Sequence, residues 1–337
     1  DRRGLLAAFR YLIIGTIGAT FILIGIGLLY MMTGSLNLYD ISVRMGDIAH
    51  SRTVRSAFAF LALGIGIKMA MFPLHTWLPN AYSYAPSAVS VFLAATATKV
   101  AVYMALRFIF SVFGVEFSFG QMHIDKVLMP LALVGVAVAS LVAIRQHNLK
   151  RMLAYSSIAQ VGYMLLGLSF VSVTGLTGGI VHLFNHALMK ATLFMALGCV
   201  AYRVGSVMLA DLSGLGRRMP WTMAAFVVGG VSLIGVPGTV GFVTKWYLVL
   251  GAIEQGLIWV AFVIVVTSLM AAVYVWRVLE VAYFQEGPDA ASTRGEAPLS
   301  MLLPMWVIVG ANLFFGLHTE LSAGAARRAA QALLGAG

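Results

Sequence analysis

The sequence predicts an all-α polytopic membrane protein. We expect about nine transmembrane helices, arranged as a partial inverted repeat with two broken helices. Three observations predict this. Of 337 residues, 61% are hydrophobic and 10% charged, against about 25% charged in a soluble domain, and the mean hydropathy is +0.93. Apolar runs of the length that crosses a bilayer, about 20 residues, follow one another along the whole chain. Four lysines, Lys68, Lys99, Lys190 and Lys245, sit inside those runs, where each costs about 3 kcal/mol or more and by default marks an ion pathway.

The spans fall in order at roughly 7–32, 54–73, 88–110, 127–144, 153–173, 178–202, 222–253, 257–282 and 299–317. The second ends in Phe72-Pro73-Leu74-His75, a break close to a lysine. The seventh is too long for one straight span and contains Gly235-Val236-Pro237-Gly238, which predicts a broken helix. Lys and Arg near the span ends set orientation. Eleven lie on one side: Arg2, Arg3, Arg10, Arg145, Lys150, Arg151, Arg203, Arg217, Arg218, Arg277 and Arg294. Seven lie on the other: Arg44, Arg52, Arg55, Arg107, Lys126, Arg327 and Arg328. The first set is therefore expected in the cytoplasm, so the chain begins inside and ends outside. A faint echo joins Val100-Ala101-Val102-Tyr103 to Ala271-Ala272-Val273-Tyr274, each one span after a lysine-bearing, proline-interrupted run. Oppositely oriented units of this kind build inverted-repeat transporters.

Other classes are excluded by the same features. The net charge of +10 does not indicate nucleic acid, because the basic residues sit at span ends and form no continuous stripe. The single Cys199 permits no intramolecular disulfide and reads as a small buried hydrophobe. Asp1-Arg2-Arg3 runs straight into an apolar stretch with no initiator Met and no signal peptide, so the chain reads as the middle of a longer protein.

The lysines carry the chemistry. Removal from water disfavours a charged amine, so a lysine at mid-span is suited to take up and release a proton near neutral pH. Lys68 ends the run Gly64-Ile65-Gly66-Ile67-Lys68, with snorkelling to the interface as its bland alternative. Lys99 lies half-way along its span, out of easy reach of either interface. His182, His186 and Lys190 recur every four residues, so they share one helical face, drifting about 40° per step. Such a row of titratable groups in an apolar span is the pattern of a proton relay; histidines merely bonded to neighbouring helices are the alternative. A metal would need further ligands, and no Cys, Asp or Glu accompanies this face. Lys245 follows the Pro237-Gly238 break, where unpaired backbone is tolerated only against protein or a wet cavity. In Lys150-Arg151-Met152-Leu153-Ala154-Tyr155-Ser156-Ser157, topology alone accounts for the two cations, while Tyr155 and Ser156 offer hydroxyls to a water chain.

Four segments together resemble the large antiporter-like subunits of respiratory complex I and of Mrp-type sodium/proton antiporters. They are Phe72-Pro73-Leu74-His75-Thr76-Trp77-Leu78-Pro79, Lys150 to Ala159, Asn185-His186-Ala187-Leu188-Met189-Lys190, and Val236-Pro237-Gly238 to Trp246. Ala85-Pro86-Ser87-Ala88-Val89 and the opening helix look most like the D-type branch of the Mrp antiporters. The resemblance implies a fourteen-helix fold with two inverted five-helix repeats, of which this chain supplies the last nine helices. Residues 1–110 would be the remainder of the first repeat, 111–284 the second, and 285–337 a C-terminal helix and tail. By position, Lys68 matches the family's first channel lysine, Lys99 its connecting lysine, His182, His186 and Lys190 its central axis, and Lys245 its exit-side residue. His75, Pro73, Tyr155, Ser156, Pro237 and Gly238 would support them. The family pairs its first channel lysine with a glutamate on the preceding helix, which is expected upstream of Asp1.

The reading is a proton-translocating subunit of a multi-subunit sodium/proton antiporter in the inner (plasma) membrane. It would work with other membrane subunits, with no cofactor, no metal and no covalent chemistry in this chain. The alternative within the class is a pumping subunit of an NADH:quinone oxidoreductase or membrane-bound hydrogenase. The rival of another class is a structural membrane anchor with a dry, packed interior.

Overall fold

The computed structural model describes residues 2–286 and 295–335. Asp1 and Arg294, named above, lie outside the described residues. Among the described residues fifteen α-helices follow in chain order: α1 (Arg2–Thr33), α2 (Leu38–Ile48), α3 (Arg52–Lys68), α4 (Leu78–Tyr84), α5 (Ser87–Phe92), α6 (Thr98–Leu106), α7 (Ile124–Ile144), α8 (Leu149–Ser169), α9 (Val173–Val204), α10 (Leu215–Arg218), α11 (Pro220–Ile234), α12 (Val240–Glu254), α13 (Ile258–Phe284), α14 (Leu299–Leu317) and α15 (Thr319–Leu334). No strand occurs among the described residues; one antiparallel bridge ties Asn148 to Met208.

Seven helical runs among the described residues are long and apolar enough to cross a membrane: α1, the continuous run Ser87–Val112, α7, α8, α9, α13 and α14. The remaining two expected spans are the divided ones. Residues 54–73 become most of α3 and the start of an irregular turn that leads on to α4, while 222–253 become α11, a break and α12. The run Ser87–Val112 is not uniform. π-helical turns at Leu93–Ala97 and Arg107–Val112 flank α6, and a third covers Glu116–Gln121. Period alone did not predict these turns or the amphipathic helices α2 and α15, which lie outside the apolar runs.

Side-chain caps start several helices. Asn37 accepts from the Tyr39 N–H, Ser51 from Thr53, Asn148 from Arg151 and Ser172 from Gly175, each satisfying a donor the helix leaves orphaned. The Glu296 carboxylate does the same for α11 from outside, accepting from the Trp221 and Thr222 N–H groups at 2.5 and 3.2 Å.

Helices α8 and α9 form the centre. Nearly every residue of α8 is buried, with α7 packed on one side and α9 on the other. A Cβ on Gly167 would come within 2.7 Å of the Gly179 backbone, so glycine lets α8 and α9 approach main chain to main chain. Helices α11, α12, α14 and α15 also pack against α9. By contrast α1, packed on α3, leaves most of its apolar surface exposed.

The two breaks are built alike at their first ends. Helix α3 closes with Met71 N–H donating to the Gly66 carbonyl and Ala70 N–H to Ile67, and Ala70 lies in the left-handed region at φ +58°. Helix α11 closes with the Gly235 and Val236 N–H groups both on the Val231 carbonyl and Gly235 at φ +90°. Both are helix stops turned on a left-handed residue. The Phe72-Pro73 peptide is cis.

A buried row of lysine and histidine side chains

The three α9 residues at four-residue spacing, His182, His186 and Lys190, are buried. The two imidazoles stack with centroids 5.5 Å apart and planes at 18°. Lys99 and Lys245 are buried as well, and Lys245, Lys99 and Lys190 all lie within electrostatic reach of His182. Five of the six residues expected to carry protons therefore converge on one interior strip running from α6, along α9, to α12.

Every amine on this strip is held by backbone carbonyls. Lys190 Nζ donates to the Leu153 carbonyl of α8 at 2.9 Å and contacts the Ser156 hydroxyl. Lys99 Nζ donates to the Ala94 carbonyl inside the first π turn. Lys245 Nζ donates to the Leu233 carbonyl at 2.9 Å and to that of Ile234. These are the last carbonyls of α11, which the helix leaves without partners and where the helix dipole favours a cation. Lys245 thus reaches back from the second turn of α12 and caps the helix on the other side of the break. Its ammonium also lies 5.7 Å from the centre of the Tyr163 ring, a cation–π distance, and the Tyr163 hydroxyl pairs with Thr267 at 2.7 Å.

Thr244, itself held by Asn185, orients His182. Asn185 Nδ2 donates to the Val240 carbonyl at 2.8 Å and to Thr244 Oγ1 at 3.1 Å. Thr244 Oγ1 lies 3.0 Å from His182 Nδ1. A carbonyl can only accept, so the Asn185 amide orientation is fixed by Val240, and Thr244 Oγ1 accepts from Asn185 while pairing with His182 Nδ1. His182 Nε2, both nitrogens of His186 and Asn185 Oδ1 have no protein partner among the described residues. Buried polar atoms of this kind are normally satisfied, so the strip is lined with groups that can bond to water or to each other.

Lys68 stands apart. It is exposed, at a groove of about 460 Å³ walled by Tyr11, Ile22, Trp77, Ala97, Val100 and Ala101. Ala97, Val100 and Ala101 come from the stretch that carries Lys99, so the groove and the strip share a wall. No ion pair joins Lys68 to a carboxylate among the described residues. His75 sits in the first break, stacked on Phe72 at 5.2 Å, and Pro73 beside it is exposed. Pro237 is exposed and Gly238 half-buried at φ +86° in the second break. Ser156 joins the strip through Lys190, whereas Tyr155 is half-buried and makes no hydrogen bond among the described residues.

One expectation changes. Lys150 was accounted for by topology alone, yet it is buried and donates to the Ala85 carbonyl at 3.0 Å. Sequence reasoning also missed Asn185, Thr244 and Tyr163. The first two adjoin singled-out residues, next to His186 and Lys245, while nothing local marks Tyr163. Among the described residues no group of three or more His, Cys, Asp and Glu side chains comes together.

Comparison with known proteins shows which family and fold the chain shares. The family model described as "NADH:quinone oxidoreductase/Mrp antiporter, TM" matches residues 1–271. NADH-quinone oxidoreductase subunit N of Desulforudis audaxviator is 45% identical over 331 residues, covering 95% of this chain and 66% of the relative. A chain of the Mrp complex from Dietzia sp. DQ12-45-1b superposes with a TM-score of 0.89 at 26% identity, over 98% of this chain and 68% of the other. A chain of an archaeal membrane-bound sulfane sulfur reductase does so with a TM-score of 0.89 at 29% identity, over 99% and 67%. The chain thus spans about two thirds of the length of the proteins it resembles.

Proposed function

We propose that this chain, which belongs to the NADH:quinone oxidoreductase/Mrp antiporter transmembrane family, moves protons as one membrane subunit of a larger complex of the NADH-quinone oxidoreductase type. The observation that carries this reading is the buried row of Lys99, Lys190, His186, His182 and Lys245, in which titratable groups follow one another while no carboxylate pairs with any of them among the described residues. Ionisable groups at membrane depth mark ion pathways, and unpartnered imidazole nitrogens between amines suit a relay. Protons taken up at the Lys68 groove pass to Lys99, travel along the α9 face in the membrane plane, and leave at Lys245. Residues 1–110 and 111–284 form the two inverted units, and the chain crosses the cell's inner (plasma) membrane several times.

The 45% identity to a subunit N favours a redox-driven parent complex over the D-type Mrp branch. The fold does not separate the two, since the Mrp and sulfane sulfur reductase chains superpose equally well. Sodium/proton exchange is the second reading, supported by that likeness to an Mrp chain.

The test is Lys190→Ala in the intact complex, assayed in inverted membrane vesicles. Proton translocation falls about 100-fold, the scale of losing a positioned proton-transfer group, while the complex still assembles. Wild-type translocation in an assembled variant leaves the membrane-anchor reading standing instead. Proton uptake driven by an imposed sodium gradient, with no electron donor present, decides for the second reading.

A further inference from the structure

A chain of contacts ties the elbow between α4 and α5 to Lys99. At the elbow, the Ala85 carbonyl accepts from Lys150 Nζ at 3.0 Å, a residue 65 positions away, and from the Ser90 hydroxyl at 3.3 Å. The Ser90 hydroxyl, fully buried, also lies 2.9 Å from the Tyr82 carbonyl. Tyr82, itself fully buried and set edge-on against Phe194 of α9, donates its phenol proton to the Leu93 carbonyl at 2.9 Å. Leu93 opens the π turn Leu93–Ala97, and the carbonyl of the next residue, Ala94, holds the Lys99 amine. π turns are rare, contain an extra residue per turn, and are frequent at functional sites. One persists only where its surroundings over-determine it, and here the tyrosine hydroxyl bonds to its first carbonyl.

We propose that Tyr82 and Lys150 are positioning residues for Lys99: Lys150 fixes the α4–α5 elbow, the elbow sets Tyr82, and Tyr82 holds open the π turn whose Ala94 carbonyl seats the Lys99 amine. Neither residue carries a proton in this scheme. Lys150 has a neutral carbonyl as its partner, and the Tyr82 hydroxyl is committed to Leu93. The arrangement links the first break to the buried row, because α4 is the second half of the helix that Phe72-Pro73 interrupts. A shift of α4 would be transmitted to Lys99 through Tyr82 rather than through the apolar wall of the Lys68 groove. The inference rests on the reading of Lys99 as a member of the proton path.

The experiment uses the assembled complex in membrane vesicles, with Lys99→Ala, Tyr82→Phe, Lys150→Met and Lys150→Arg made in parallel. Translocation is normalised to the amount of complex. Lys99→Ala abolishes transport. Tyr82→Phe and Lys150→Met each lower it about fivefold, the effect of one hydrogen bond, and Lys150→Arg, which keeps the donor and the charge, restores it. Electron cryo-microscopy of the Tyr82→Phe complex finds residues 93–97 wound as regular α-helix and the Lys99 amine off the Ala94 carbonyl, a change that a merely structural tyrosine would not produce. Wild-type rates for both Tyr82→Phe and Lys150→Met, or an intact π turn in Tyr82→Phe, overturn the positioning role when Lys99→Ala is inactive. Wild-type transport in Lys99→Ala overturns the path reading itself, and this inference with it.

Discussion

The two broken helices solve one problem in opposite ways. Each stops on a left-handed residue and leaves carbonyls without helical partners inside a membrane, where each unsatisfied group costs several kcal/mol. At the first break the neutral Trp77 indole joins the Ala70 N–H on the Ile67 carbonyl, donating at 2.9 Å, and Lys68, the last residue of α3, lines the open groove. At the second break the lysine itself answers, since Lys245 caps Leu233 and Ile234. A lysine engaged by helix-end carbonyls is part of the structure, and losing its charge weakens both bonds and its attraction to the helix end. A lysine beside an already satisfied break exchanges protons without disturbing the backbone. On the proposed path, the first break suits uptake and the second suits a release step coupled to backbone geometry.

The largest expected effect breaks that contrast at its centre. Lys245→Ala should lower translocation about 100-fold and also weaken the α11–α12 junction, whereas Lys68→Ala should lower translocation with no measurable loss of thermal stability. Both are read from vesicle assays beside thermal unfolding of the solubilised complex. Equal destabilisation by the two substitutions removes the distinction.

A smaller effect is expected at Gly235. An L-residue in the left-handed region costs about 1–2 kcal/mol, and a Cβ there would sit 2.7 Å from Lys245 Cδ. Gly235→Ala should therefore cost about 2 kcal/mol of stability and also slow translocation by pushing the amine off its carbonyls. A stability loss with normal transport would show that the cap is dispensable for release.

These residues mark how far the sequence could be read. Apolar runs and Pro-Gly breaks are local signals, and they located the spans, both interruptions and the four lysines. The α9 face was legible because its spacing matches the helical repeat. The partners were not legible, because they come from distant chain: Lys150 meets Ala85 across 65 residues, and Asn185 meets Thr244 across 59. The π turns left no periodic trace, since polar positions between Ser87 and Gln121 are too sparse for one extra residue to show as a shift in the helical repeat. The left-handed stop at the first break was hidden by its residue type, for Ala70 stands where a glycine would have announced it.

Trp77→Phe comes next in size. It removes the indole donor from the Ile67 carbonyl but keeps an aromatic ring against Tyr11, now 5.0 Å away. The cost should be about 1 kcal/mol, seen as a modest fall in unfolding temperature, with the Lys68 step slowed little. A loss of transport as deep as that of Lys245→Ala would mean that the first break, too, works through its cap.

The smallest effect is expected at Ala70, and it is the sharpest test of the likeness between the breaks. Ala70 occupies the position of Gly235, at φ +58° and fully buried. Ala70→Gly relieves a left-handed penalty of about 1–2 kcal/mol. It also loses a buried methyl worth about 0.8 kcal/mol and gains chain entropy in the unfolded state of about 0.4–1 kcal/mol. The gains and losses nearly cancel, so stability should change by less than about 1 kcal/mol, in contrast to the loss at Gly235→Ala. Transport should also hold, because Lys68, the lysine at this break, lines the open groove and caps no helix-end carbonyl among the described residues. Matched thermal unfolding of the two variants checks this. If Ala70→Gly destabilises as much as Gly235→Ala, the methyl is part of the break's packing, and the first stop is held by side chains rather than by backbone geometry alone.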